Sequence, residues 1–251
     1  MDQITATTKI TGIIGYPISH TLSPLMHNRA FSLLGLDFVY VVFPVPPDNL
    51  RQAIKALPAL RVRGINVTIP YKQSVLPLLD KIDKEAKMIG AVNIVLIENE
   101  RLVGYNSDGY GFITSLIEAG FNPKGKKVLL LGAGGACRAV FMALGWSGAK
   151  KISVAARKID KAEQLIREGK LYIESKTECV SLSHIPVQTL KEASLIVNTT
   201  PIGMYPYENN LPPIAFELLQ PTQYICDLIY NPLETQFLAK AKLKGCKVVN
   251  G

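Results

Sequence analysis

"KVLLLGAGGACRAV", residues 127–140, runs without a break from an apolar stretch through a glycine-rich turn into a helix-forming segment. Four consecutive apolar residues, Val128 to Leu131, read as a strand buried on both faces. Gly132 then makes the tight turn, and Gly134 lets the backbone come close to a bound pyrophosphate. The helix that opens there presents unpaired N–H groups and a partial positive charge to that anion. The strict pattern has a third glycine at position 137, where this chain has Cys137. That position needs a small side chain for close helix–sheet packing, so Cys137 reads as a buried filler rather than a reactive thiol. A glycine motif alone says little. Between a strand and a helix it points to a dinucleotide-binding fold.

The next strand-like run, "KISVAAR" (151–157), ends where such folds choose their nucleotide. An NAD site places an Asp or Glu there, about 20 residues past the glycine loop, to hold the ribose 2′-hydroxyl. Here the chain supplies Ala156, Arg157 and Lys158, and the first carboxylate, Asp160, follows them. A phosphate on that hydroxyl asks for cations instead, and a guanidinium grips it through several hydrogen bonds. The residues therefore select NADP(H). A solvated basic turn is the plainer account of Arg157 and Lys158, and their place relative to the glycine loop argues against it.

Working outward, strand-like and helix-like runs alternate along the whole chain. "KITGIIGYP" (9–17) precedes a helix expected from near Ser23 through Leu34, with Pro24 suited to its first turn. "FVYVVFPV" (38–45), "LRQAIKALPAL" (50–60, broken near Pro58), "GINVTIPYK" (64–72) and "EAKMIGA" (85–91) follow, and "AVNIVLIENERLVGYNSDG" (91–109) reads as a hairpin. Past Asp108 the pattern resets with "GFITSLIEAG", then the glycine-loop unit, "KISVAAR", "KAEQLIREGK", "LIVNTT", "QYICDLI" and "CKVVN". Such alternation implies crossover units and mostly parallel sheets, an α/β class. The expected organisation is an N-terminal α/β domain over residues 1–108 and a Rossmann-like, doubly wound domain over 109–251, with the junction near 105–115.

Within the first half, "INVTIPYK" (65–72) has two unlike faces. In an extended chain Ile65, Val67 and Ile69 point one way, and Asn66, Thr68 and, if extension holds past Pro70, Lys72 point the other. Asn is a poor strand former, and Pro70 cannot donate to a ladder. A solvated edge is the bland reading of these residues taken alone.

Composition narrows the class further. The 251 residues are 48% hydrophobic and 19% charged, which suits a globular chain with a sizeable core. No segment reaches the roughly 18 to 20 uninterrupted apolar residues of a membrane span, and "MDQITATTKI" lacks a signal-peptide pattern. Cys137, Cys179, Cys226 and Cys246 form no CxxC pair and read as reduced thiols in a cytoplasm. His20, His27 and His184 show no metal spacing, and no metal is expected. The net charge of +8 is spread along the chain without an aromatic-interleaved basic run. Such a field would equally attract small polyanions, so charge alone does not choose, and no nucleic-acid partner is expected.

With these runs in place, "GYPISHTLSPLMHN", "GINVTIPYK", "GAVN", "GYNSDGYG", "GAGGACR", "NTTPIGM" and "DLIYNP" occur in the order and near-spacing of shikimate dehydrogenases. The chain resembles that family from about residue 11 to its last residue, and quinate/shikimate dehydrogenases share much of the pattern. The resemblance implies NADP-dependent, reversible reduction of 3-dehydroshikimate to shikimate in a cytoplasmic enzyme, monomeric or homodimeric. It implies that Lys72 and Asp108 are the catalytic pair. Thr21 and Ser23 would hold the substrate carboxylate, with Asn66, Thr68, Asn93 and Tyr230 as further substrate contacts. The loop of Gly132, Ala133, Gly134, Gly135 and Ala136 would cradle the pyrophosphate, Arg157 and Lys158 the 2′-phosphate. Thr199 would be a further cofactor contact, and Leu228 and Gly251 would contact the nicotinamide side.

The chemistry suits these residue types. A carboxylate and three ring hydroxyls ask for many short polar groups, and an ammonium stabilises the alkoxide that develops when a ketone is reduced. This chain has Thr21 where the family has serine, which keeps the hydroxyl but adds a methyl and stiffens χ1. The sequence stops at "VVNG", where the family continues into a helical segment with a substrate-binding glutamine; if the protein ends there, the resemblance implies one substrate hydrogen bond fewer. A broader quinate/shikimate specificity and a noncatalytic NADP-binding regulator are the alternatives.

Overall fold

The structure, a computed structural model, describes residues 4–19 and 21–251, so His20 lies outside the described residues. The chain divides into two compact units, Met1–Ser107 and Asp108–Gly251.

In the first unit β1 (Lys9–Gly15), α1 (Ser23–Leu33), β2 (Phe38–Pro44), α2 (Leu50–Ala56) and β3 (Val62–Val67) are followed by β4 (Lys81–Ile82), α3 (Lys84–Ile89), β5 (Ile94–Glu98) and β6 (Arg101–Tyr105). The sheet order is β2-β1-β3-β5-β6-β4. β1 pairs in parallel with both β2 and β3, whereas β5 runs antiparallel to β3 and β6. The hairpin read at 91–109 forms because Asn99 and Glu100 both adopt left-handed backbone, at φ 49° and 64°, the geometry of a two-residue hairpin turn. Asp83 caps α3 by accepting from the Glu85 N–H, and Gly90 ends that helix at φ 69°. Ile14, Ile54, Ile65, Val67, Val75, Val92 and Val95 share one buried cluster. Each such side chain contributes about 1.5–3 kcal/mol on removal from water.

One expectation for this unit fails. The strand ends at Val67, and the Tyr71 N–H donates to the Thr68 carbonyl at 2.8 Å, so extension does not hold past Pro70. Lys72 therefore sits in a turn and not on the strand face of Asn66. Ile69, read as part of the apolar face, is 48% exposed. A turn bond at Thr68 outweighs the alternation.

The second unit opens with α4 (Asp108–Glu118), β7 (Lys127–Leu131), α5 (Gly135–Trp146), β8 (Lys151–Ala156), α6 (Ile159–Gly169) and β9 (Lys176–Ser181). It continues with α7 (Val187–Glu192), β10 (Leu195–Asn198), β11 (Tyr224–Asp227), α8 (Gln236–Leu243) and β12 (Lys247–Val249). Its sheet order is β12-β11-β10-β7-β8-β9, with every pairing parallel. Counted within the unit this is the order 3-2-1-4-5-6, read from β9, of a doubly wound dinucleotide fold. Leu129, Leu131, Ile196, Ile225, Phe237 and Leu238 form its buried cluster. Alternation of apolar runs does not mark β4, β9, α7 or α8. β9, "KTECVS", is an edge strand with no fully buried residue, so the sheet and not its composition makes it a strand.

Candidate active site

In a parallel sheet all carboxyl ends lie along one edge, and the order of this sheet reverses between the neighbouring strands β7 and β10. Ligands of such folds bind outside that edge. Gly132 follows β7, Arg157 and Lys158 follow β8, Thr199 follows β10, Leu228 follows β11, and Gly251 lies just past β12. Every predicted cofactor residue thus falls on the same edge of one sheet.

Two glycines of the loop differ in what surrounds them. Gly132 has φ +118°, and a Cβ there would lie 2.6 Å from Thr199 Oγ1. Thr199 in turn donates both its N–H (2.9 Å) and its hydroxyl (2.7 Å) to the Leu131 carbonyl, closing the switch point. Gly134 differs: it is the N-cap of α5, carries no side-chain cap, and a Cβ there meets nothing within 4 Å. Among the described residues nothing requires glycine at 134, which leaves open space over the first amides of α5. The Arg138 N–H is the first to bond within the helix, to Gly134 O at 3.0 Å. The amides before it have no i−4 partner within the helix, an arrangement that suits an anion such as a pyrophosphate, with the helix dipole behind them. Arg157 and Lys158 are both exposed, with Lys158 at the N-cap of α6. This donor set fits a phosphorylated dinucleotide.

Cys137 is fully buried, its thiol donates to Gly132 O at 3.0 Å, and burial pushes its pKa up to about 12. It fills space, as read from sequence. All four cysteines are free.

Leu228 and Gly251, expected from the sequence on the nicotinamide side, meet: a side chain at Gly251 would run into the Leu228 carbonyl. Tyr230, two residues on, is 40% exposed. Next to Leu228 in the chain, at Asp227, lies a buried network that sequence reading missed. Asp227 accepts from Asn198 Nδ2 (3.0 Å), the Ile229 N–H (3.1 Å) and Thr235 Oγ1 (2.8 Å). Burial raises its pKa to about 6, against the pull of those three donors. A carboxylate inside the apolar run "YICDLI" was the available signal.

In the first unit the polar residues also gather at strand carboxyl ends. The Tyr16 N–H donates to Ile69 O at 3.1 Å and the Thr68 N–H to Ile14 O at 3.0 Å, tying the loop after β1 to the end of β3. That loop carries Thr21, whose hydroxyl donates to Ser23 Oγ at 3.1 Å. Ser23 opens α1, so the pair stands at a helix N-terminus, favourable for a carboxylate. Asn66 Oδ1 accepts from the Tyr40 hydroxyl at 2.6 Å, while its Nδ2 lies 3.5 Å from Asn93 O. Tyr40 is held by both amide atoms of Asn28 and stacked on His27 at 4.2 Å. Burial lowers the His27 pKa, so the ring is neutral near pH 7.

Asn93 is buried and bonded twice to Ser107: its Oδ1 accepts from the Ser107 N–H (2.9 Å) and its Nδ2 donates to Ser107 Oγ (3.1 Å). It anchors the segment that leads directly into Asp108. The Lys72 carbonyl accepts from the Val92 N–H at 2.7 Å, so the lysine turn is fastened one residue from Asn93. Tyr40 and Ser107 are members of this cluster that sequence reading did not name.

Two family models match this chain: "Shikimate dehydrogenase substrate binding domain" over residues 13–95 and "Shikimate / quinate 5-dehydrogenase" over residues 115–209. A protein named shikimate dehydrogenase (NADP(+)) from Carboxydothermus hydrogenoformans is 49% identical, over 99% of this chain and 88% of its own length.

The chain belongs to the shikimate dehydrogenase family.

Solved members of that family share its fold. The shikimate 5-dehydrogenase of Listeria monocytogenes, solved with shikimate and NAD, superposes with a TM-score of 0.88 at 34% identity, covering 100% of this chain and 89% of its own. The Thermus thermophilus enzyme, solved with NADP(H) and shikimate, gives 0.83 at 36% identity, covering 96% of this chain and 86% of its own. The α/β class with a Rossmann-like second unit is thus shared with family members of known structure. Among the described residues no helix is long and apolar enough to cross a membrane.

Proposed function

We propose that this chain is an NADP-dependent shikimate dehydrogenase that reversibly reduces 3-dehydroshikimate to shikimate, a step toward chorismate and the aromatic amino acids. The observation that carries the reading is the gathering of its predicted cofactor residues on one carboxyl edge of a parallel 3-2-1-4-5-6 sheet. The NADP(+) in the names of its relatives agrees with Arg157 and Lys158 standing where an NAD site carries a carboxylate. The first unit then takes the substrate, the second NADP(H).

Bound NADPH supplies the hydride that reaches the ring ketone carbon. The Lys72 ammonium stabilises the negative charge growing on the ketone oxygen and gives it a proton, so that one hydride and one proton convert ketone to alcohol. Asp108 orients Lys72 and accepts from a ring hydroxyl. In oxidation the proton returns to this pair. Thr21 and Ser23 hold the substrate carboxylate, and Asn66, Thr68, Asn93 and Tyr230 take the hydroxyls. Gly132 to Ala136 cradle the pyrophosphate, while Thr199, Leu228 and Gly251 wall the nicotinamide. The reaction belongs to the cytoplasm, carried out by a monomer or homodimer.

The test follows absorbance of NADPH with shikimate and with quinate as substrates. Turnover on shikimate with NADP+ supports the reading. NADPH binding without turnover on either acid would return the regulator alternative, and equal turnover on both the broader specificity.

A further inference from the structure

The second unit holds a polar network that neither phosphate binding nor proton transfer uses. Asn198 ends β10 and Asp227 ends β11, paired in register across the two strands. Both are fully buried, as is Thr235 ahead of α8. From Asn198 the network reaches the loop after β10. Asn198 Oδ1 accepts from the Thr200 N–H (3.1 Å) and hydroxyl (2.6 Å), and its Nδ2 donates to Ile202 O (3.1 Å). From Asp227 it reaches the loop after β11 through the Ile229 N–H, and α8 through Thr235. Thr235 Oγ1 in turn accepts from the Leu238 N–H at 3.3 Å. The Tyr205 N–H also donates to Asn231 O (3.4 Å), a second tie between the two loops.

A buried carboxylate is costly, and here it meets only donors. A carboxylate accepts at both oxygens, so it fixes the orientation of the Asn198 amide, which then sets the Thr200 and Ile202 backbone. The residues held this way are the immediate neighbours of Thr199, Leu228 and Tyr230.

We propose that Asp227 is a positioning residue of the reaction: through Asn198 and Thr235 it locks the loops after β10 and β11 together and so aims the nicotinamide wall. The inference rests on the NADP(H) reading. Misplacing a wall by about 1 Å costs on the order of 100-fold in rate without loosening the rest of the ligand.

The experiment uses the full chain and its variants D227N, T235V and T235S. It measures steady-state kinetics, NADPH affinity by fluorescence titration, thermal midpoint and amide hydrogen exchange. In D227N and T235V, kcat falls about tenfold or more while the NADPH dissociation constant stays within about threefold. Exchange quickens over residues 199–203 and 228–235, and the β7 amides are unaffected. T235S, which keeps the hydroxyl, recovers at least about half of kcat.

A lowered thermal midpoint with unchanged kcat would make the network plain scaffold and overturn the proposal. So would a loss of NADPH affinity in step with kcat, or a T235S as slow as T235V. If D227N fails to fold, the T235V and T235S pair decides. A parent chain that does not bind NADPH overturns the cofactor reading itself, a result seen before any variant is compared.

Discussion

The Tyr40 hydroxyl donates to Asn66 Oδ1 at 2.6 Å, and with the longer bond from Asn66 Nδ2 to Asn93 O at 3.5 Å it sets which way the Asn66 amide faces. With its oxygen engaged, Asn66 has its Nδ2 hydrogens left as donors, as the proposed contact with a substrate hydroxyl asks. Tyr40 is itself fixed by Asn28 on α1 and by the His27 ring. Tyr40→Phe removes one hydrogen bond worth about 0.5–1.5 kcal/mol and frees the amide to flip. The KM for shikimate should rise roughly two- to tenfold, with NADPH affinity unchanged. Equal kinetics in the phenylalanine variant would show that Asn66 needs no such guide.

Gly132 and Gly134 should respond differently to the same methyl. Gly132→Ala places a Cβ 2.6 Å from Thr199 Oγ1 at a φ of +118°, so it should lower thermal stability as well as NADPH binding. Gly134→Ala meets open space, so its melting temperature should match the parent while NADPH binds at least about tenfold more weakly. Unaltered NADPH titration in Gly134→Ala would remove the pyrophosphate from that loop.

Arg157→Ala should discriminate between nucleotides. Loss of a charge-assisted phosphate contact costs about 1.5–3 kcal/mol, or roughly 10- to 100-fold in KM for NADPH. NADH kinetics should hardly change, since the 2′-hydroxyl offers no phosphate. Parallel losses with both nucleotides would dismiss the clamp.

Lys72→Ala should lower kcat by about 10²- to 10⁴-fold, the usual range for a positioned acid–base group. NADPH affinity, measured by fluorescence, should stay within a factor of about two. A variant that kept its turnover would take the proton transfer away from Lys72.

Burial holds the Asp227 carboxyl at a pKa of about 6, above the ordinary aspartate value of 3.8. Because the folded value is the raised one, its contribution to stability is fully present below pH 3.8 and is lost as pH rises through 6. The size is on the order of 3 kcal/mol. An amide in its place does not titrate, so the stability difference between D227N and the parent should shift in favour of D227N between about pH 4 and 7. Urea unfolding at several pH values measures it; a difference flat with pH would mean that Asp227 titrates in the folded chain as it does in the unfolded one.

The two halves of the candidate site are legible in the sequence to different degrees. Val128 to Cys137 carry strand, turn and helix signals in one stretch, and the Arg157–Lys158 step follows at a fixed chain distance. Both are local, so sequence spacing is a good proxy for geometry there. The last third of "INVTIPYK" misleads for the opposite reason. Pro70 and a turn bond from Tyr71 redirect the chain, and strand alternation carries no information about where a turn begins. Tyr40 and Asn198 hold groups far along the chain, and no local pattern marks a side chain whose partner is 26 residues away, as Tyr40 is from Asn66, or 29, as Asn198 is from Asp227.

By itself the sequence determined the α/β alternation, the glycine turn, the cationic step after β8 and the family motifs, because each is written in neighbouring residues. Only the tertiary structure decided the strand order that puts Gly132 beside Thr199, the turn that takes Lys72 off its strand, and the pairing of Asn198 with Asp227. Those are relations between strands brought together by burial, and burial of a shared core depends on the whole chain at once.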